Sequence, residues 1–117
     1  MMRNDKENVI VKLTLEFALE IIEFSELLEE KRKYVIARQI LKSGTSIGAN
    51  IREAQNAESK ADFIHKMKIA AKEADETEYW LLLCHLSKNY PKNEQLSEKL
   101  NVIIKILSKI ISTSKAE

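Results

Sequence analysis

The sequence contains little of what tight turns and strand-rich folds require. It has two glycines and one proline among 117 residues, which leaves little material for hairpins. The composition is instead 44% hydrophobic and 32% charged, with abundant Lys, Glu, Leu and Ile, as is typical of amphipathic helices. We therefore predict an all-α protein.

A single cysteine and almost no net charge exclude further classes. Cys84 has no partner for an intramolecular disulfide and no CxxC motif for zinc, which favours a reducing compartment. The formal net charge is +1, so nucleic-acid binding would require cations gathered on one surface. No segment has signal-peptide character or approaches the roughly 20 apolar residues of a membrane span. We expect a cytoplasmic protein with no membrane role.

Apolar residues recur at every third or fourth position in four segments, which is the helical period. Three segments span about residues 6–30, 31–56 and 60–88, and the fourth runs from Asn93 to a polar tail, STSKAE. Asn4 or Asp5 is a candidate cap for the first helix and Ser59 for the third, and Asn93 is one for the fourth. Residues 1–117 are thus predicted to form one antiparallel up-down-up-down four-helix bundle.

The second segment, from Lys31 to Asn56, presents different residues on opposite sides of one helix. Placed at 100° per residue, the row that faces the core is Ile36, Ile40, Ser43, Ile47, Ile51 and Ala54. The opposite side carries four cations within about 80° of arc, namely Lys31, Arg38, Lys42 and Arg52. From Lys31 through Arg52 there are six cationic residues and no acidic one. This surface requires continuous helix from Tyr34 through Ala57, after a turn in the mixed-charge run at residues 29–33.

Two glycines inside this segment allow either a loop or a helix. A phosphate-cradling loop would need GxxxxGK[ST] after a buried strand, and SGTSIG has neither the spacing nor the Lys. The helical interpretation keeps the core-facing row in phase through Gly44 and Gly48, although each glycine costs about 1 kcal/mol against Ala. Missing side chains there would let another helix approach closely, either in the same bundle or from another subunit.

The third segment has apolar residues on two sides. Its main row, rich in small residues, is Phe63, Ile64, Met67, Ala70, Ala71, Ala74, Thr77 and Leu81. A second row contains Ile69, Glu73, Glu76, Trp80, Leu83 and Cys84. It is larger than the apolar surface that a monomer usually leaves exposed. We predict that Ile69, Glu73, Glu76, Trp80 and Leu83 form an oligomer interface; the alternative is that one subunit covers this row internally.

The sequence offers no evident set of catalytic or metal-binding groups. A di-iron bundle needs two Glu-x-x-His pairs and further glutamates, whereas the sequence offers one Asp62-x-x-His65. Cys84 and His85 are adjacent on a helix and therefore point in different directions. We predict no catalytic residue, no metal ligand and no cofactor.

Glu73 and Glu76 lie one helical turn apart and could in principle act as an acid/base pair. The better interpretation is that they pair with basic residues of another helix or subunit, with Arg52 as the leading candidate.

Two stretches, SGTSIGANIREA and SKADFIHKMKIAAKEADETEYWL, resemble a known family. Its members are small four-helix-bundle proteins from open reading frames in intervening sequences of bacterial 23S ribosomal RNA genes. The resemblance covers nearly the whole chain, and its markers are Ser46, Ile47, Asn50, Ile51, Glu53, Ser59, Phe63, Ala70, Glu73, Glu76 and Leu81. It implies an antiparallel bundle that forms a homopentamer and has no established enzymatic activity. Gly48 stands where such families commonly carry Pro.

A related branch, the accessory variability protein of diversity-generating retroelements, is similar to a basic pentameric barrel that binds nucleic acid and a reverse transcriptase. Together with the basic row, this resemblance favours a non-enzymatic, homo-oligomeric bundle that binds RNA or DNA without base specificity. The alternative is a protein–protein interaction scaffold whose basic row is only a solvated face.

Overall fold

The computed structural model describes residues 5–117, with side chains described from Val9 onward. These residues form four helices, α1 (Asp5–Glu30), α2 (Tyr34–Ala54), α3 (Lys60–Leu86) and α4 (Glu94–Ala116). Helix α1 packs on α2 and α4, and α3 packs on α2 and α4, whereas the Cα atoms of diagonally placed helices stay more than 8 Å apart. This arrangement is the predicted antiparallel four-helix bundle. The cap predicted at Asn4 or Asp5 lies outside the residues whose side chains are described.

Side-chain caps begin α3 and α4 at the predicted positions. The Ser59 hydroxyl accepts a hydrogen bond from the Asp62 N–H at 3.0 Å, and the Asp62 carboxylate accepts one from the Glu58 N–H at 3.2 Å. At the start of α4, the Asn93 side-chain oxygen accepts from the Leu96 N–H at 3.1 Å. The bonds to Ser59 and Asn93 satisfy donors that the first helical turn leaves unpaired, and the bond from the Glu58 N–H holds the residue before the cap.

The turn between α1 and α2 uses a left-handed residue. Arg32 has φ 63°, and the Lys33 N–H donates to the Leu28 carbonyl at 2.8 Å while the Arg32 N–H donates to that of Glu29 at 2.9 Å. These two bonds are the Schellman motif, which usually carries Gly at the left-handed position. The turn predicted at residues 29–33 and the helix start predicted at Tyr34 are confirmed. Lys31, which the basic row had placed on the helix, lies in this turn.

Helix α2 continues through both glycines, which confirms the helical interpretation. A Cβ atom on Gly44 would lie 2.8 Å from Cγ1 of Ile21, and one on Gly48 would lie 3.3 Å from the Thr14 carbonyl oxygen. The close neighbour is therefore α1 of the same subunit. The helix ends at Ala54 rather than at the predicted Ala57, because bonds of the i to i+3 type tighten the chain into a turn at residues 55–57.

The core is formed by the predicted apolar rows. On α2, Ile36 is half-buried and the rest of the predicted row is buried: Ile40, Ser43, Ile47, Ile51 and Ala54. On α3, Cys84 is buried in the core, so its assignment to the outer row is wrong. Cys84 follows Thr77 by seven residues and Leu81 by three, and it therefore continues the buried row.

The end of α4 is more ordered than predicted. The segment STSKAE, expected to be a polar tail, is helical as far as Ala116. Ser114 is buried, since it lies four residues beyond Ile110 and seven beyond Leu107 on the core-facing side. Core packing thus extends the helix beyond the last aliphatic residue.

Candidate nucleic-acid interface

Helix α2 presents three exposed cations on the side that faces away from the core. Arg38, Lys42 and Arg52 are all exposed. Because α2 is unbroken, its rise of 1.5 Å per residue spreads them along about 21 Å. The ion pairs found among residues 9–117 involve other residues. All three cations are therefore available to an external anion, and no acidic residue lies on α2 before Glu53.

The fourth predicted cation occupies a different position. Lys31 is exposed but belongs to the turn before α2, so its direction is not set by the helical period. Its neighbour Lys33 is half-buried, with Nζ 4.7 Å from the centroid of the Tyr90 ring. The structure thus brings three of the four predicted cations onto one helix face and leaves Lys31 at the end of the bundle.

Hydroxyl groups near the basic face bond within α2. The Thr45 hydroxyl donates to the Leu41 carbonyl and the Ser46 hydroxyl to the Lys42 carbonyl, both at 2.6 Å. Since a hydroxyl has one proton to donate, these side chains do not offer that proton to a phosphate. Recognition of an anion on this face therefore depends on the cationic side chains.

The predicted oligomer-interface row on α3 lies on the flank of α3 nearest α2. Ile69, Glu73, Trp80 and Leu83 are half-buried and Glu76 is exposed. The Trp80 Nε1–H donates to the Glu76 carboxylate at 3.3 Å, which orients the indole across one helical turn. The row is less exposed in the subunit than the sequence indicated.

The predicted pairing of Arg52 with Glu73 or Glu76 does not occur within the described part of the subunit. An intersubunit pair of these residues stays a prediction.

The largest exposed apolar side chains lie on other flanks. On α3 they are Tyr79, Leu82 and Leu86, of which Tyr79 and Leu82 line a groove between α3 and α4. A second set lies on α1 and α2, namely Leu15, Leu19, Ile22 and Leu41. These residues were not predicted as a surface, although Leu15 and Ile22 make the apolar side of the first segment wider than one helix contact requires.

No catalytic centre is evident in the part of the chain that the structure describes. Residues 9–117 contain no group of three or more His, Cys, Asp or Glu side chains that could hold a metal ion. Cys84 is buried, and burial raises the pKa of its thiol, which disfavours the nucleophilic thiolate. His85, next to it, is exposed. The described helices are also too short or too polar to cross a bilayer.

Comparison with known proteins places this fold in a family. The profile described as "23S rRNA-intervening sequence protein" matches residues 6–112. A crystal structure of a protein of unknown function from the S23 ribosomal protein family of Bacteroides thetaiotaomicron is 46% identical, with a TM-score of 0.86. The alignment covers 92% of this chain and 98% of that one. No match is found among curated proteins. The chain belongs to the 23S rRNA-intervening sequence protein family.

Proposed function

We propose that the protein is a non-enzymatic, oligomeric helical bundle that binds nucleic acid through the basic face of α2. The observation that supports this proposal is the exposure of Arg38, Lys42 and Arg52 on one uninterrupted helix, without an ion-pair partner among residues 9–117. Phosphate neutralisation by Lys and Arg releases counterions and supplies most of the free energy of sequence-independent binding. Structured RNA or DNA is the expected ligand class.

Binding through this face carries no base specificity. Base readout requires a recognition helix in a groove or an aromatic platform for stacking. The exposed aromatic residue on α2 is Tyr34, at the first position of the helix. The remaining contacts available on α2 are charge contacts to phosphate, which position a nucleic acid without reading its sequence.

Oligomerisation makes a weak surface effective. Three cations per subunit give modest affinity, whereas a ring of subunits presents the same face several times to one polyanion. The family resemblance leads us to expect a homopentamer, and the single cysteine favours a reducing compartment such as the cytoplasm. The predicted interface row, Ile69, Glu73, Glu76, Trp80 and Leu83, is one candidate for the contact between copies.

A salt titration with a matched control tests the proposal. Labelled structured RNA and single-stranded DNA are titrated at two ionic strengths with the parent protein and with R38E/K42E. The control is K105E/K109E, which reverses two exposed lysines at the same spacing on α4. We expect R38E/K42E to bind at least tenfold more weakly at low salt, and the control to stay near the parent. Equal binding by R38E/K42E and the parent would refute the proposal.

A protein–protein scaffold is the second candidate, because large apolar side chains remain exposed on the subunit. Leu19 is 56% exposed and Tyr79 is 55% exposed, and apolar patches on the surface of a soluble domain usually mark a contact. In that case the α2 cations are only solvated, and the R38E/K42E protein shows no loss of nucleic-acid binding.

A further inference from the structure

Two grooves lie on opposite faces of the bundle. One runs between α1 and α2, with a cavity volume of about 130 Å³, and its lining includes Val11, Leu15 and Ala18. The other runs between α3 and α4, with a cavity volume of about 530 Å³, and its lining includes Tyr79 and Leu82. Because each helix contacts only its two neighbours around the square, the α1/α2 face and the α3/α4 face point in opposite directions.

The two grooves carry opposite charge. Arg52 is the one charged residue that lines the α1/α2 groove. The α3/α4 groove is lined by Asp75, Glu78 and Glu94, with no Lys or Arg. None of these four residues takes part in an ion pair within residues 9–117. The lining of each groove therefore lacks the charge that the lining of the other groove offers.

Both grooves also have apolar side chains in or beside them that a partner would remove from water. The α1/α2 groove includes Leu15, which is 50% exposed, and Leu19 and Ile22 follow it at 56% and 39% exposure. In the α3/α4 groove, Tyr79 is 55% exposed and Leu82 is 48% exposed. An apolar centre with a charged border is the usual composition of a protein–protein contact.

We propose that the α1/α2 groove of one copy docks on the α3/α4 groove of the next copy, with Arg52 facing the carboxylates of Asp75, Glu78 and Glu94. The contact joins two different surfaces, so copies associate head to tail, and a ring results when the rotation between copies closes. Pairing either groove with itself would bring like charges together, which is unfavourable. This inference rests on the oligomer in the proposed function and names its contact surfaces.

The proposed contact divides the basic face of α2 between two roles. Arg52 lines the α1/α2 groove and is used between copies, whereas Arg38 and Lys42 are not part of the groove lining. Under this proposal, Arg38 and Lys42 are the cations of α2 left for a polyanion in the assembled protein. The oligomer contact and nucleic-acid binding can then be disrupted separately.

Charge reversal with rescue tests the contact. The molar mass of the nuclease-treated protein is measured by light scattering and sedimentation velocity for the parent, R52E, D75K/E78K and the combined variant R52E/D75K/E78K. Circular dichroism verifies that each variant is helical. We expect a discrete oligomer for the parent, at least tenfold weaker association for R52E and for D75K/E78K, and recovered association in the combined variant, where every contact is reversed.

Some outcomes overturn the inference. A monomeric parent, or an R52E protein that associates as the parent does, contradicts the head-to-tail contact. Loss of association in R52E without recovery in the combined variant contradicts the pairing of these two grooves. The R38E/K42E protein separates this failure from failure of the proposed function: it should keep the parent's mass while losing nucleic-acid binding. Normal mass with normal binding in R38E/K42E refutes nucleic-acid binding alone.

Discussion

The hydroxyl groups of Ser43 on α2 and Thr77 on α3 are hydrogen-bonded at 2.9 Å, and both residues are fully buried. The Thr77 hydroxyl also lies 2.8 Å from the Glu73 carbonyl oxygen, to which it can donate. This arrangement fixes α2 against α3 at mid-bundle, because a buried polar atom without a partner is costly. It also determines which flank of α3 lies next to the basic helix.

A double-mutant cycle on this pair should show strong coupling. We expect T77V to lower the free energy of unfolding by about 1–3 kcal/mol, since it leaves a buried Ser43 hydroxyl without its partner on α3. The double variant S43A/T77V should cost little more than T77V, because both polar groups are gone. Urea unfolding gives the free energy of unfolding of S43A, T77V and S43A/T77V. Additive losses, within about 0.5 kcal/mol, would show that the hydroxyls do not interact.

Gly44 should be sensitive to the smallest side chain. A Cβ atom there would meet Cγ1 and Cγ2 of Ile21 at 2.8 Å. Overpacking costs about 1–3 kcal/mol, and the better helix propensity of Ala returns about 1 kcal/mol. We expect G44A to lose about 1 kcal/mol in chemical unfolding. G48A is the matched control, because its Cβ would be 3.3 Å from the Thr14 carbonyl; G44A as stable as G48A would contradict the prediction.

Arg32 holds a backbone conformation that suits glycine better. Its φ is 63°, and the left-handed region costs an L side chain about 1–2 kcal/mol. A glycine variant removes this cost, but part of the gain is offset by the greater conformational freedom of its unfolded chain. R32G should therefore be more stable than the parent by about 0.5–1 kcal/mol, measured by thermal and urea unfolding. R32A removes the same charge but keeps the Cβ, so it should show no comparable gain.

Asp62 should make stability depend on acidic pH. A hydrogen bond from the Glu58 N–H, and then the Lys66 ammonium, lower the pKa of Asp62 below its ordinary value of 3.8. The folded state then binds fewer protons than the unfolded state, so this stabilisation is present above pH 3.8 and is lost as the pH falls through the folded pKa.

The measurement is urea unfolding of the parent, D62N and the control E16Q across that range. Stability should fall less steeply with acid in D62N than in the parent. The exposed Glu16 has no hydrogen bond or ion pair among the described residues and lines neither groove, so E16Q should follow the parent. A D62N protein with the parent's acid dependence would show that the cap contributes nothing through its charge.

Local features of the fold could be predicted because few residues determine them. The caps at Ser59 and Asn93 depend on a side chain and an N–H three residues away, and the core row of α2 depends on spacing alone. The positions at which the helices end were less predictable. Helix α2 stops at Ala54 and α4 continues to Ala116, because tertiary packing and a tight turn override the residue pattern at helix ends.

The exposed residues of α3 could not be predicted from the sequence of the third segment. Apolar residues occur on several sides of α3, so the period does not decide which flank α2 and α4 cover. The row with Trp80 proved half-buried, while Tyr79 and Leu82 on the flank toward α4 are exposed. The outward direction of the basic residues was easier to predict, because α2 has one strongly apolar side. The exception is Lys31, which the turn at Arg32 removes from the helix.

The most direct test of the account measures how the binding constant K for single-stranded nucleic acid depends on salt. The slope of log K against log salt concentration is compared between the parent and R38Q/K42Q, in which two cations are replaced by neutral side chains. Each lost phosphate contact should reduce the magnitude of the slope by about 0.7, so we predict a reduction of at least about 1.4 with K105Q/K109Q unchanged. An identical slope for R38Q/K42Q and the parent would contradict the claim that α2 binds a polyanion.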